Sequence, residues 1–95
     1  MKIKLSPLLQ DIHFMVKSAS MGAPASQREQ VYCAQLALRT KDYKLTVDQC
    51  LDVLGIAKSS KNINLERLAK GLGLPLQQVK EAHEKWLEEK RKEPV

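Results

Sequence analysis

The chain has 95 residues, 43% of them hydrophobic, with sixteen Lys and Arg against eleven Asp and Glu for a formal charge of +5. That length supports one domain with a modest core and leaves out a deep cleft between two lobes. No apolar run is long enough to span a bilayer, and four aromatic residues are too few for a base-stacking platform.

The positive excess favours anionic partners such as nucleic acid, but it is unevenly placed. Residues 1–44 hold seven basic and three acidic side chains, whereas residues 62–95 hold seven basic and six acidic. The opening stretch MKIKLSPLLQDIHFMVK sets lysines before apolar residues in the manner of a secretion signal. Asp11 and His13 interrupt the apolar run, so no continuous hydrophobic region forms and a cytoplasmic location is expected. With that location, Cys33 and Cys50 are expected as a reduced, buried pair.

The elements read as helices throughout. Ser6 is placed to cap a first helix with Pro7 at its first position. Leu8, Leu9, Ile12, Met15 and Val16 recur at helical spacing as one apolar stripe. Gly22 and Pro24 end this helix, leaving residues 1–22 as an N-terminal element suited to dimerisation or to closing the core. Ser26 with Glu29 has the form of a capping box opening a second helix. Its inner face is expected along Val31, Ala34 and Leu38, widened by Tyr32, Cys33, Leu36 and Ala37. Lys41, Asp42 and Tyr43 then read as a turn.

Thr46 with Gln49 forms another capping box, and a short third helix follows. It should turn Cys50, Leu51 and Leu54 inward and stop at Gly55. AKSSKN reads as a polar loop. Asn64 caps a fourth helix, with Ile63 and Leu68 placed for a hydrophobic staple. Gly71 and Gly73 bracket its end. Pro75 starts a fifth helix carrying Leu76, Val79, Ala82, Trp86 and Leu87 inward, and a charged tail is expected over 89–95. No alternating β-branched segment competes. The expected fold is all-α, a single compact bundle of about five helices over 1–95, with its helical core at 26–88. Phe14 and Trp86 are expected in that core, and Tyr32 and Tyr43 at the surface.

One pair of helices carries a more specific pattern. Ala69 offers a small residue where two helices can cross closely. Gly73, four positions on, tolerates a left-handed backbone at the turn. Leu68, Leu72, Leu74, Val79 and Ala82 supply apolar residues on both inner faces. The spacing from Ala69 through Gly73 to Val79 resembles the helix-turn-helix of bacterial and phage transcription regulators, and the likeness covers residues 65–84. It implies double-stranded DNA as partner, with the helix beginning at Pro75 lying in the major groove. The same likeness implies base contacts from Gln77, Gln78, Lys80 and Glu81, and backbone contacts from Asn62, Asn64, Arg67 and Lys70. It further implies a homodimer, because one motif reads a half-site.

The chain departs from that family in three places. Pro75 stands where Ser or Thr usually caps the second helix, Leu76 replaces a polar groove-facing residue, and Glu81, Glu84, Glu88 and Glu89 add negative charge. A plain helical hairpin has the same spacing. DQCLDVLGI repeats half of the pattern, with Lys61 where an apolar residue should follow, and reads best as a buttressing helix.

His13, Cys33, Cys50 and His83 lie far apart in sequence, so no metal site is expected. No Ser, Cys or His has a local nucleophile signature, and KGLGLP follows a helix and lacks the phosphate-loop lysine pattern. The expectation is a protein that is not an enzyme and binds no cofactor. Two functions stand. One is a small DNA-binding transcription regulator. The other is a helical protein-binding adaptor or inhibitor of phage or plasmid type, without DNA contact, supported by the near-neutral second half and its acidic final helix.

Overall fold

The computed structural model describes residues 4–57 and 63–92. Among them are five helices and no strand: α1 (Pro7–Met21), α2 (Arg28–Tyr43), α3 (Val47–Ala57), α4 (Leu65–Leu72) and α5 (Leu76–Lys92). Of the expected AKSSKN loop, Ala57 is instead the last residue of α3, and 58–62 lie outside the described residues.

Local chemistry sets most of the helix ends. Ser6 is extended at φ −64° and ψ 161°, and its hydroxyl accepts the Leu9 N–H ahead of Pro7. At α3 the Thr46–Gln49 box is reciprocal: Gln49 N–H donates to Thr46 Oγ1 at 3.2 Å, and Thr46 N–H donates to Gln49 Oε1 at 2.9 Å. Each bond satisfies a donor that the first helical turn would leave orphaned.

Three boundaries differ from the sequence expectation. Ser26 does not cap α2. A single 3-10 turn over Ala25–Gln27 precedes the helix, closed by Gln27 N–H on the Pro24 carbonyl at 2.8 Å. That turn begins directly after Pro24, before Ser26 reaches the extended backbone a capping side chain requires. The turn expected at Lys41–Tyr43 is helical, and the reversal falls at Lys44, left-handed at φ 54° and ψ 46°. Gly55 does not stop α3, which continues to Ala57.

The core draws on all five helices. Ile12, Val16, Leu36, Cys50, Leu51, Val53, Leu68, Val79 and Trp86 are all essentially sealed from solvent. α1 packs on α2 and α3, α4 on α2 and α5, and α3 on α5. The third helix therefore does buttress the last. α1 closes the core through Leu9, Ile12 and Val16.

Two faces turn out otherwise than expected. On α2 the buried residues are Tyr32, Cys33 and Leu36, while Ala34 and Leu38 are exposed and Val31 is half-buried. Helical spacing can be drawn through either set, and α1 and α4 on two sides of α2 select the second. Phe14, expected inside, is 71% exposed. It stands two residues beyond Ile12, about 200° further round the helix, and Met21 follows it one heptad later, also in solvent. Leu8 is likewise exposed. Tyr32, expected at the surface, is buried.

The charged segment expected as a tail from 89 stays helical to Lys92, and Lys90 turns inward. Its ammonium meets Asp52 at 3.2 Å, and the same carboxylate accepts the Trp86 indole N–H at 2.7 Å. One acid on α3 thereby holds two turns of α5.

Candidate nucleic-acid interface

The α4–turn–α5 unit is built by three local devices. Asn64, extended at φ −85° and ψ 94°, accepts the Arg67 N–H on Oδ1 at 3.1 Å and starts α4. Gly73 ends it in the left-handed region at φ 70° and ψ 28°, a conformation that strains any residue with a Cβ. The Leu74 N–H then returns to the Ala69 carbonyl at 3.0 Å, satisfying a helix-end acceptor. Pro75 leads into α5 with its carbonyl accepting Val79 N–H at 3.3 Å.

Packing locks this turn. Leu68, Ala69 and Val79 are buried, and Leu72 and Leu74 lie partly buried against the core. Ala82 is half-buried and borders a shallow outer groove beside Gln78, Glu81 and Glu84 rather than being sealed inside. Ile63 and Leu68 are both in the core.

The candidate contact residues divide. Asn62 lies outside the described residues. Asn64 is half-buried with its carbonyl oxygen committed to the cap, so only its amide N–H groups remain for a backbone contact. Arg67 and Lys70 on α4 are exposed, as are Gln77, Gln78, Lys80 and Glu81 on the first turns of α5. The Gln77 amide donates to Glu81 Oε1 at 3.3 Å on the surface.

Charge along α5 is graded. Val79 and Trp86 define the buried line. On the opposite side, Gln77, Glu81, Glu84 and Glu88 follow one another at spacings of three or four residues, all exposed. The first turn holds no acid and presents two amides and Lys80, beside a helix N-terminus of partial positive charge. The later turns present carboxylates, one of which, Glu88, meets Lys92 at 3.6 Å in a solvent-exposed pair. Exposed pairs of this kind contribute little to stability. The helix is therefore least repulsive to an anionic group at its N-terminal end and most repulsive along its later turns.

A second polar feature joins α1 to α2. His13 Nδ1 lies 2.8 Å from the Tyr32 hydroxyl, whose proton is directed at the Val53 carbonyl at 3.5 Å. Burial pushes the Tyr32 hydroxyl well above its ordinary value, so it stays neutral. The pair borders a hollow of about 470 Å³, together with Lys17, Arg28 and Cys33. Among the described residues no group of three or more His, Cys, Asp or Glu is arranged to hold a metal ion, and Cys33 and Cys50 are buried free thiols. No helix of the described residues is long and apolar enough to cross a membrane.

His13 gives a pH prediction. Burial first, and the Lys17 ammonium second, hold its imidazole below the ordinary 6.5. The unfolded chain then takes up the proton before the folded one. This contribution is complete above about pH 6.5 and is lost as pH falls through the folded value. Urea titrations on either side of that pH should show a larger acid loss of stability in the parent than in His13→Gln. Equal losses would remove His13 as the cause.

Comparison of the chain with protein-family models, with curated proteins and with solved structures finds no match.

Proposed function

We propose that the chain is a small DNA-binding regulator, acting in the cytoplasm, that presents the N-terminal turn of α5 to the major groove. The observation that carries this reading is the left-handed Gly73 turn between buried Ala69 and Val79, which leaves Gln77, Gln78 and Lys80 exposed together. Glutamine amides can meet an adenine edge with donor and acceptor at once, and Lys80 can reach guanine or a phosphate. Glu81, Glu84 and Glu88 restrict the approach to the end of the helix. One such motif reads a half-site, so the active species is a homodimer on a repeated site.

The test is fluorescence anisotropy against mixed-sequence duplex DNA across a salt series, followed by sequence selection. Affinity should fall steeply with salt, with a slope of about −0.9 for each phosphate contacted. Lys80→Ala should lower that slope by about one, and Gln77→Ala or Gln78→Ala should relax preference at one base pair by about 1–3 kcal/mol. Variants that select the same sequences as the parent would sink the groove assignment.

The exposed line of glutamates on α5 favours a second reading, a phage- or plasmid-type adaptor that docks a basic protein surface. An absence of duplex binding at the lowest salt, with capture of a basic partner lost in Glu84→Lys, would select it.

A further inference from the structure

We propose that the groove between α2 and α4 is a track for a phosphodiester backbone, extending the DNA contact onto a helix outside the helix-turn-helix; this rests on the DNA-binding reading above. The groove, about 410 Å³, is lined by Gln30, Cys33 and Ala34 of α2 and by Arg67, Lys70 and Gly71 of α4. No carboxylate lines it, although α5 close by is rich in them. Arg67 and Lys70 lie one turn apart on the same rim, and neither has an ion-pair partner among the described residues. The Asn64 cap holds the backbone of Arg67 in place.

The two helices approach closely here because Gly71 has no side chain. A Cβ at that position would stand 3.3 Å from the Ala37 methyl and 3.4 Å from the Cys33 carbonyl oxygen. Opposite the cations, the α2 rim is an exposed amide, Gln30, and a methyl, Ala34. Neither blocks a chain of phosphates, and the Gln30 amide can donate to one. Arg67 presents a planar fork suited to phosphate oxygens and Lys70 a point charge. An acidic peptide would also be attracted. Nucleic acid is the chosen occupant because Arg67 and Lys70 stand on the helix that leads through Gly73 into the exposed amides of α5.

Ala34 supplies the test, since it is exposed and helical and tolerates either sign of charge. Duplex anisotropy across a salt series should show Ala34→Lys binding more tightly, with its slope steeper by about one contact. Over a fourfold change in salt, one contact alters relative affinity by about 3.5-fold. Ala34→Glu should bind more weakly. Circular dichroism at 222 nm must show each variant folded as the parent is, so that a gain in affinity reports the added contact and not exposure of an unfolded cationic chain. If both variants match the parent while Lys80→Ala responds, DNA binding stands and the groove assignment is overturned. If the parent binds no duplex at the lowest salt, the DNA reading falls and takes the groove with it. A labelled polyglutamate peptide that binds as tightly as duplex, and responds to both substitutions, would reassign the groove to an acidic protein.

Discussion

Trp86→Ala is expected to remove about 3–5 kcal/mol of folding stability, the range for emptying a buried aromatic site. Trp86 is 1% exposed and packs among the largest sealed side chains. It also stacks on His83, with ring centroids 5.8 Å apart and planes 19° from parallel. Its indole N–H is one of two donors on Asp52. A small domain has about 5–15 kcal/mol in total, so the variant should be marginal at ambient temperature. Trp86→Phe separates the two contributions. It keeps most of the apolar burial and loses the charge-assisted hydrogen bond, a change of about 1.5–3 kcal/mol. Asp52 retains Lys90, which limits the penalty for the abandoned acceptor. Urea denaturation of the three proteins measures both steps. A loss below about 1 kcal/mol in Trp86→Ala would mean that α5 is not anchored where the geometry puts it.

Deleting residues 1–22 is expected to abolish cooperative folding. Leu5, Leu9, Ile12 and Val16 all enter the core from this segment. At about 1.5–3 kcal/mol for each fully buried aliphatic side chain, their removal is comparable to the stability of the whole domain, even allowing that such sums are upper bounds. The deletion also strips His13 from Tyr32 and opens the buried side of α2 to water. Circular dichroism at 222 nm and a thermal melt would register the loss. A truncated chain that melts cooperatively near the parent temperature would return α1 to the role of a detachable dimerisation element. The outer face of the same helix is a separate matter. Phe14→Ser should leave stability within about 0.5 kcal/mol, as for an ordinary surface change. Weakened self-association in that variant would place the dimer contact there.

These two predictions fall on positions of different legibility. Trp86 was readable as core from its spacing after Val79 and Ala82. Its bond to Asp52 was not, because 34 residues separate the partners and only the crossing of α3 and α5 brings them together. Lys90 looked like part of a solvated tail for the same reason. Of the two roles the sequence offered the first helix, packing on α2 and α3 shows the core-closing one. The exposure of Arg67, Lys70, Gln77, Gln78 and Lys80 was legible because the apolar spacing of Leu68, Ala69 and Val79 fixes which helix turns face outward. Asn64 was named both as cap and as contact, and its carbonyl oxygen serves the cap. The Gln30 and Ala34 rim left no signal in the sequence. It is a groove only because Gly71 allows α4 to lie close against α2.

What the sequence by itself determined is the set of events within one or two helical turns. The Ser6, Thr46 and Asn64 caps, the left-handed Gly73, the all-α character and the spacing of Ala69, Gly73 and Val79 all follow from bonds that span about four residues. What only the tertiary structure decided is which of two equally periodic faces is buried. Phe14 outside, Tyr32 inside and the inner side of α2 each depend on neighbours distant in the chain. Helical periodicity marks apolar stripes, but it carries no record of which stripe another helix will cover.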